Sequence, residues 1–300
     1  MHSGILLLDK PRGLSSNAAL QRVRTLYARV KGGHVGSLDP LATGMLPICL
    51  GEATKVAGEI LAGRKCYRFT VSLGSSTTTG DAEGTQLATA PVPALEATAV
   101  SAVLQRFLGG SEQVPPMYSA LKRAGQPLYR LARAGVSVER APRRIELSQL
   151  QLLALTPATL ECQALCSKGT YIRVLAEDIA LALGTLGHVT ALRREYVEPF
   201  EAQPMHTLES LTQGTAGVPP PLLPADWPLA HMPEVRLSGA EAQRMRHGQH
   251  VLRAPVAAAA RVRLYDETGA FLGIGEADSS GAVQPRRLLN LPAAATDRES

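Results

Sequence analysis

Residues 32 to 51 read Gly-Gly-His-Val-Gly-Ser-Leu-Asp-Pro-Leu-Ala-Thr-Gly-Met-Leu-Pro-Ile-Cys-Leu-Gly. They restrict the fold more than any other stretch, because they set one carboxylate, Asp39, in a glycine-rich turn flanked by apolar residues. Pro40 removes a backbone donor and pushes Asp39 out of helical geometry, so the carboxylate sits in an extended or turn segment. Met45 to Leu50 then reads as a buried strand or helix behind it. Two readings of Asp39 stand side by side: an Asx-type turn in which it bonds only its own backbone, and a carboxylate held in place for chemistry.

The rest of the chain mixes strands and helices. Ile5 to Asp9 reads as a strand, Lys10-Pro-Arg-Gly as its turn, and Ser16 as the N-cap of a helix with Leu20, Val23, Leu26, Tyr27 and Val30 at helical spacing. Tyr67 to Leu73 gives a strand, followed by a Gly/Ser/Thr-rich turn from Gly74 to Gly84. Residues 95 to 108 are amphipathic and stop at Gly109-Gly110. Leu147 to Leu155 and Thr159 to Cys166 form a hairpin pattern, and Ile172 to Leu183 returns to helix. Regular βαβ alternation is absent, which argues for an α+β, mixed-sheet domain. With 300 residues, 45% of them hydrophobic, two ordinary domains are expected.

Thr212 to Pro228 changes to Gly, Pro and Ala, with Pro219-Pro-Pro at its centre and Trp227, the only tryptophan, near its end; it reads as a linker. Beyond it come a short capped helix from Leu237 and strands at Arg261–Tyr265, Phe271–Glu276 and Val283–Leu288, with Asp266-Glu-Thr-Gly as a hairpin turn. The expected division is 1–211, a linker over 212–230, and a small β module over 231–300. Ala257 to Ala260 and the tail after Leu291 read as flexible.

The formal charge is +5, and only six of 31 basic side chains are lysines, which suits a polyanionic partner because arginine offers phosphate a planar fork. Lys122, Arg123, Arg130, Arg133, Arg140, Arg143 and Arg144 face a single acid, Glu139, with Tyr118 and Tyr129 nearby. This segment is either a phosphate-tracking surface or a solvated basic face. The four cysteines form no Cys-x-x-Cys pair and have no histidines at zinc spacing, so no metal is expected and the thiols read as reduced fillers. Gly32-Gly33-x-x-Gly36 lacks both the Gly-Lys-Ser/Thr ending and the preceding strand of nucleotide-binding loops, so no cofactor is expected. The apolar opening strand is too short for a signal segment and no run approaches the roughly 18 residues needed to span a bilayer, from which a cytoplasmic location is expected.

The 32–51 segment closely resembles the catalytic motif of the TruB-type pseudouridine synthases, Gly-His-x-Gly-x-Leu-Asp-Pro-Leu-Ala-x-Gly. The resemblance starts at Gly4-Ile-Leu-Leu-Leu-Asp-Lys-Pro-Arg-Gly-Leu-Ser-Ser and returns at Lys65-Cys-Tyr-Arg. It continues through Val114-Pro-Pro-Met-Tyr-Ser-Ala-Leu-Lys and Ser167-Lys-Gly-Thr-Tyr-Ile-Arg to Leu192-Arg-Arg. It implies a pseudouridine synthase catalytic domain, a C-terminal PUA-like RNA-binding barrel, and isomerisation of the uridine at position 55 in the T-loop of tRNA, with the base flipped out. It makes Asp39 the catalytic carboxylate, Arg173 its partner and Tyr67 the ring lying against the base. His34 would occupy the space the base vacates, and Tyr171 and Leu192 would line the pocket. Together with Lys122, Arg123, Arg130 and Arg133 these are the candidate substrate-binding residues. The absence of lysine-rich extensions favours the stand-alone bacterial type, a monomer without an obligate protein partner. Tyr196-Val-Glu-Pro-Phe departs from the family's Val-Gly-Pro-Phe at Glu198, which puts the local loop geometry in question. A competing class is an RNA-binding protein that only unfolds and refolds tRNA. A third is a guide-RNA-dependent enzyme.

Overall fold

The computed structural model describes residues 2–123, 125–213, 220–253 and 260–290. The chain opens with β1 (Gly4–Lys10), α1 (Ser16–Leu26), β2 (Gly32–His34) and β3 (Thr43–Leu50). Next come α2 (Ala57–Ala62), β4 (Lys65–Leu73), β5 (Ser75–Thr77), β6 (Gln86–Thr89), α3 (Ala97–Gln105) and β7 (Gly109–Gln113). A small hairpin, β8 (Lys122–Arg123) with β9 (Gln126–Pro127), leads into α4 (Leu128–Arg133). β10 (Arg143–Leu155), β11 (Thr159–Cys166), α5 (Ile172–Ala182), β12 (Gly187–Val197) and α6 (Leu208–Thr212) follow. The last part comprises β13 (Glu234–Arg236), α7 (Gly239–Arg246), β14 (Val251–Leu252), β15 (Ala260–Tyr265), β16 (Phe271–Ala277) and β17 (Ala282–Leu288).

One sheet runs β1-β3-β12-β4-β11-β10-β7, with β2 beside β3, and a second runs β13-β15-β16-β17-β14. The first is antiparallel except at β3 and β12, which pair in parallel through only Arg193↔Thr43 and Arg194↔Gly44. That short seam joins the two halves of the sheet. Along β4, Tyr67, Phe69, Val71 and Leu73 point into a core shared with α1, α3 and α5, while Arg68 faces away and is exposed, the alternation a strand imposes.

Several boundaries move for identifiable reasons. Ser15, not Ser16, caps α1 by accepting from the Ala18 amide at 3.1 Å; Ser16 is turned inward. The helix ends before Val30 because Ala28 and Arg29 adopt left-handed backbone, at φ 52° and 53°, and Arg24 donates to the carbonyls of Val30 and Arg29 at 2.8 and 3.0 Å. Gly109-Gly110 does not merely stop α3, which has ended at Gln105; it opens the edge strand β7 against Leu147 and Glu146. The turn after β4 contains β5, which pairs with β6.

Within the expected linker, 212–230, residues 220–230 are tied to the rest of the protein rather than free. Leu223 exchanges backbone hydrogen bonds with Ile5 at 2.8 and 2.9 Å, and Leu229 is fully buried. Leu229 lies in a cluster with Ile5, Leu7, Met45, Val197 and Phe200 of the first sheet region and Tyr265, Phe271, Ile274 and Leu289 of the second. Asp226 accepts from the Tyr265 hydroxyl at 2.5 Å. Residues 257–259 and the tail after Leu291, expected to be flexible, lie outside the described residues, and Ala260 begins β15. Glu198, the departure from the family pattern, pairs with Arg64 at 2.7 Å and also accepts from its amide at 3.1 Å.

The interior makes the stability depend on pH in a definite sense. Burial pushes the Cys49, Cys66 and Cys162 thiols up to about 12 and Cys166 to about 11. Burial pulls the Lys10 and Lys65 amines down to about 8. Between about pH 8 and 10.5 the unfolded chain holds lysine protons that the folded chain has shed, which favours folding as pH rises; above about 9 it loses thiol protons that the folded chain keeps, which disfavours folding. Four thiols outweigh two amines. Calorimetric melting temperatures should therefore hold or rise slightly from pH 8 to 9 and then fall, and a Tm still climbing at pH 10 would contradict this.

Candidate active site

The Asp39 loop leaves β2 at His34 and re-enters the sheet at β3. Contacts from several elements hold it. The Ser16 hydroxyl, at the start of α1, accepts from the Leu38 amide at 2.7 Å and donates to the Leu38 carbonyl at 2.9 Å. The Gly13 amide donates to the Pro40 carbonyl at 2.7 Å, and the Lys10 ammonium, held by the carbonyls of Leu14 and Pro11 at 2.7 and 2.9 Å, reaches the same Pro40 carbonyl at 3.5 Å. From β12, the Arg194 guanidinium donates to the carbonyls of Gly36 and Met45. Ser16→Ala would leave two buried backbone groups without partners, at an expected cost of about 1–3 kcal/mol. The urea-unfolding midpoint should fall accordingly, and an unchanged midpoint would show that Leu38 finds other partners.

Asp39 takes no hydrogen bond from its own backbone. Its Oδ2 lies 3.0 Å from Nε of Arg173, one residue into α5. Arg173 is 5% exposed at its side chain, whereas Asp39 keeps 40% of its surface, so the carboxylate is reachable and the guanidinium is not. Nη1 and Nη2 of Arg173 each donate to a carbonyl, of Thr79 and Tyr118 respectively, both at 2.7 Å, and Asp81 Oδ2 stands 3.7 Å from Nε. The guanidinium is thus fixed on three sides with its Nε aimed at Asp39. Burial raises the Asp39 carboxyl above the usual carboxylate range; Arg173 offsets this, Asp81 adds to it, and Lys10 again opposes it.

Tyr67 sits on β4 beside Arg194 of β12 in register, with its phenol pushed up by burial and partly restrained by Arg194. Leu192 lies opposite Phe69 on the same strand pair and lines, with Leu41, Thr43, Arg12 and Arg193, a cleft of about 200 Å³. His34 ends β2 opposite Ile48; its Nδ1 is buried without a partner, and burial followed by Arg194 pulls its pKa down, which favours the neutral ring. Tyr171 precedes α5, where its amide donates to Gln113 Oε1 at 2.7 Å and its carbonyl accepts from Gln113 Nε2 at 3.1 Å.

Lys122, Arg123, Arg130 and Arg133 are all exposed, on the β8–β9 hairpin and α4. The segment is anchored by buried Leu128, by Arg123 on the Glu139 carbonyl at 2.9 Å and by Arg140 on the Pro115 carbonyl at 3.2 Å. One link to the site is Tyr118, whose carbonyl Arg173 holds. Sequence reasoning passed over Asp81, Lys10, Ser16 and Arg194 as parts of this site. Asp81 lay inside a stretch legible only as a turn, and Arg194 carried a signal only as the second arginine of Leu192-Arg-Arg. Among the described residues no group of three or more His, Cys, Asp or Glu side chains could hold a metal ion, and no helix is long and apolar enough to cross a membrane.

The model of the TruB family pseudouridylate synthase N-terminal domain matches residues 24–172, that of a tRNA pseudouridylate synthase B C-terminal domain matches 173–217, and that of a pseudouridine synthase II TruB C-terminal region matches 233–289. A tRNA pseudouridine synthase B of Chromohalobacter salexigens is 49% identical over 297 residues, covering 98% of this chain and 96% of the relative. One from Stutzerimonas stutzeri is 50% identical over 293 residues, covering 96% and 95%. Among solved structures, an H/ACA RNP bound to a substrate RNA containing 2'-deoxyuridine is similar with a TM-score of 0.71 at 21% identity, covering 96% of this chain and 85% of that one. A Cbf5-Nop10-Gar1 complex is similar with a TM-score of 0.71 at 22% identity, covering 95% and 84%. The structural likenesses bear out the expected α+β, mixed-sheet fold, and the family models together with near half identity over almost the whole length carry the rest: this chain belongs to the TruB family of pseudouridylate synthases.

Proposed function

We propose that this chain converts uridine to pseudouridine at position 55 in the T-loop of tRNA, in the cytoplasm, as a monomer without guide RNA or obligate protein partner. The observation that carries the reading is the reachable Asp39 carboxylate held at 3.0 Å from a buried guanidinium. The reaction breaks the bond from uracil N1 to ribose C1', turns the base, forms the bond from C5 to C1', and releases the C5 proton while N1 gains one. Nothing is oxidised or reduced. Asp39 acts as nucleophile or proton-handling group, and Arg173 keeps it ionised. Tyr67 lies against the base, Tyr171 and Leu192 wall the pocket, and a neutral His34 fills the space left by the flipped nucleotide. Lys122, Arg123, Arg130 and Arg133 follow the phosphates of the T-arm. Residues 1–211 form the catalytic domain and 231–300 a PUA-like RNA-binding domain, joined by 212–230.

The test is tritium release from an unmodified tRNA transcript labelled at C5 of uridine, with this protein alone. Release in proportion to uridines lost at position 55 supports the reading. Binding without release would favour the tRNA-folding or guide-dependent alternatives.

A further inference from the structure

Arg194 is 1% exposed, the largest side chain buried to that degree, and none of the ion pairs among the described residues includes it. Burying a guanidinium without a carboxylate is expensive, and a well-packed apolar side chain would often serve stability better. What an apolar side chain does not supply is directed donors. Nε of Arg194 donates to the Met45 carbonyl at 2.7 Å and Nη2 to the Gly36 carbonyl at 2.8 Å. Gly36 and Met45 bracket residues 37–44, which comprise the loop that carries Asp39 and the first two residues of β3. One side chain therefore ties both ends of that segment to β12, the strand that also carries Leu192 and stands in register with Tyr67.

The fit depends on two glycines. A Cβ on Gly36 would stand 3.1 Å from Nη1, and one on Gly44 would stand 2.1 Å from the Arg194 carbonyl oxygen. The loop thus closes onto the guanidinium at one end and onto its backbone at the other. We propose that Arg194 is a positioning residue for pseudouridine formation, clamping the two ends of the 37–44 segment so that the Asp39 carboxylate meets Arg173 and the face of Tyr67 together. The clamp rests on the activity proposed above.

The test compares wild type with Arg194→Lys and Arg194→Met. The measurements are single-turnover C5-tritium release at saturating enzyme, tRNA affinity, melting temperature, and the pH profile of the turnover rate. Misplacing a reacting group by about 1 Å costs about 100-fold in rate. Arg194→Met should lose that much with tRNA Kd held within about threefold, and Arg194→Lys, which retains charge and one donor direction, should fall between. The acid limb of the pH profile should also move to higher pH, because an Asp39 that drifts from Arg173 loses the charge that holds its pKa down. A role in scaffolding alone would not move that limb. Folded variants with wild-type turnover would overturn the clamp, as would turnover and tRNA affinity falling in parallel with the limb unmoved. If Arg194→Met does not fold, Arg194→Lys decides on the same readouts. Absence of release by wild type would instead overturn the proposed activity, so the two failures are distinguishable.

Discussion

Asp39→Asn is expected to reduce single-turnover pseudouridine formation by roughly 10³- to 10⁴-fold, with tRNA affinity unchanged. Asparagine has the same shape, and its amide oxygen can still accept from Arg173 Nε, now 3.0 Å from Oδ2. The loop, tied through Leu38, Gly36 and Met45, has no reason to move. What disappears is the negative charge and the lone pair that meet the substrate. The pH profile of the wild type carries the same information. Because burial raises the Asp39 carboxyl above its ordinary value, the ionised, active form is lost on acidification at a higher pH than for a free aspartate. The acid limb should therefore lie above the usual carboxylate range. A variant with residual rate within tenfold of wild type would remove Asp39 from the chemistry.

Gly44→Ala should be among the most damaging single-methyl additions in the chain. Gly44 has φ +97°, and an added Cβ would meet the backbone of Arg194, with its O at 2.1 Å and its C at 2.9 Å. No side-chain rotation relieves a clash with backbone. Left-handed strain and overpacking together suggest about 3–5 kcal/mol, a large share of the stability of an ordinary domain. The clash falls on the two-residue parallel seam that joins the halves of the first sheet, so turnover should collapse along with the melting temperature. Gly58→Ala is the matching control. It adds the same methyl within α2 with nothing inside 4 Å, and it should be neutral or mildly stabilising through helix propensity. Equal melting temperatures for the two variants would refute the seam's importance.

The elements most legible in the sequence were those whose periodicity agrees with their burial. β4, the β10–β11 hairpin and α5 alternate or repeat as their cores require, β1 is a continuous apolar run buried almost throughout, and α7 announces itself through the Ser238 and Glu241 capping box. β12 was illegible because Leu192-Arg-Arg-Glu reads as surface, whereas Arg194 is 1% exposed. The Pro/Gly/Ala stretch after residue 211 was misleading in the opposite way. Composition there says only that the chain is not helical or strand-like, and it is silent on Leu223 and Leu229 being drawn into the core. At the site, the Asp39 and Arg173 motifs could be found because their neighbours are distinctive. Asp81 and Lys10 act through proximity created by the fold, and no local spacing records that.

The cluster around Leu229 has a consequence for how this protein can change over time. Ile5, Leu7, Met45 and Phe200 share one oily interior with Tyr265, Phe271, Ile274 and Leu289. The C-terminal sheet is therefore not an appendage to be traded or trimmed while the rest carries on unaffected. Removing it would leave the underside of β1 and β3 facing water, and a core substitution in β16 would be felt as lost stability beneath the sheet whose loop carries Asp39. Substitutions at these shared positions in one part constrain which side chains the other can carry.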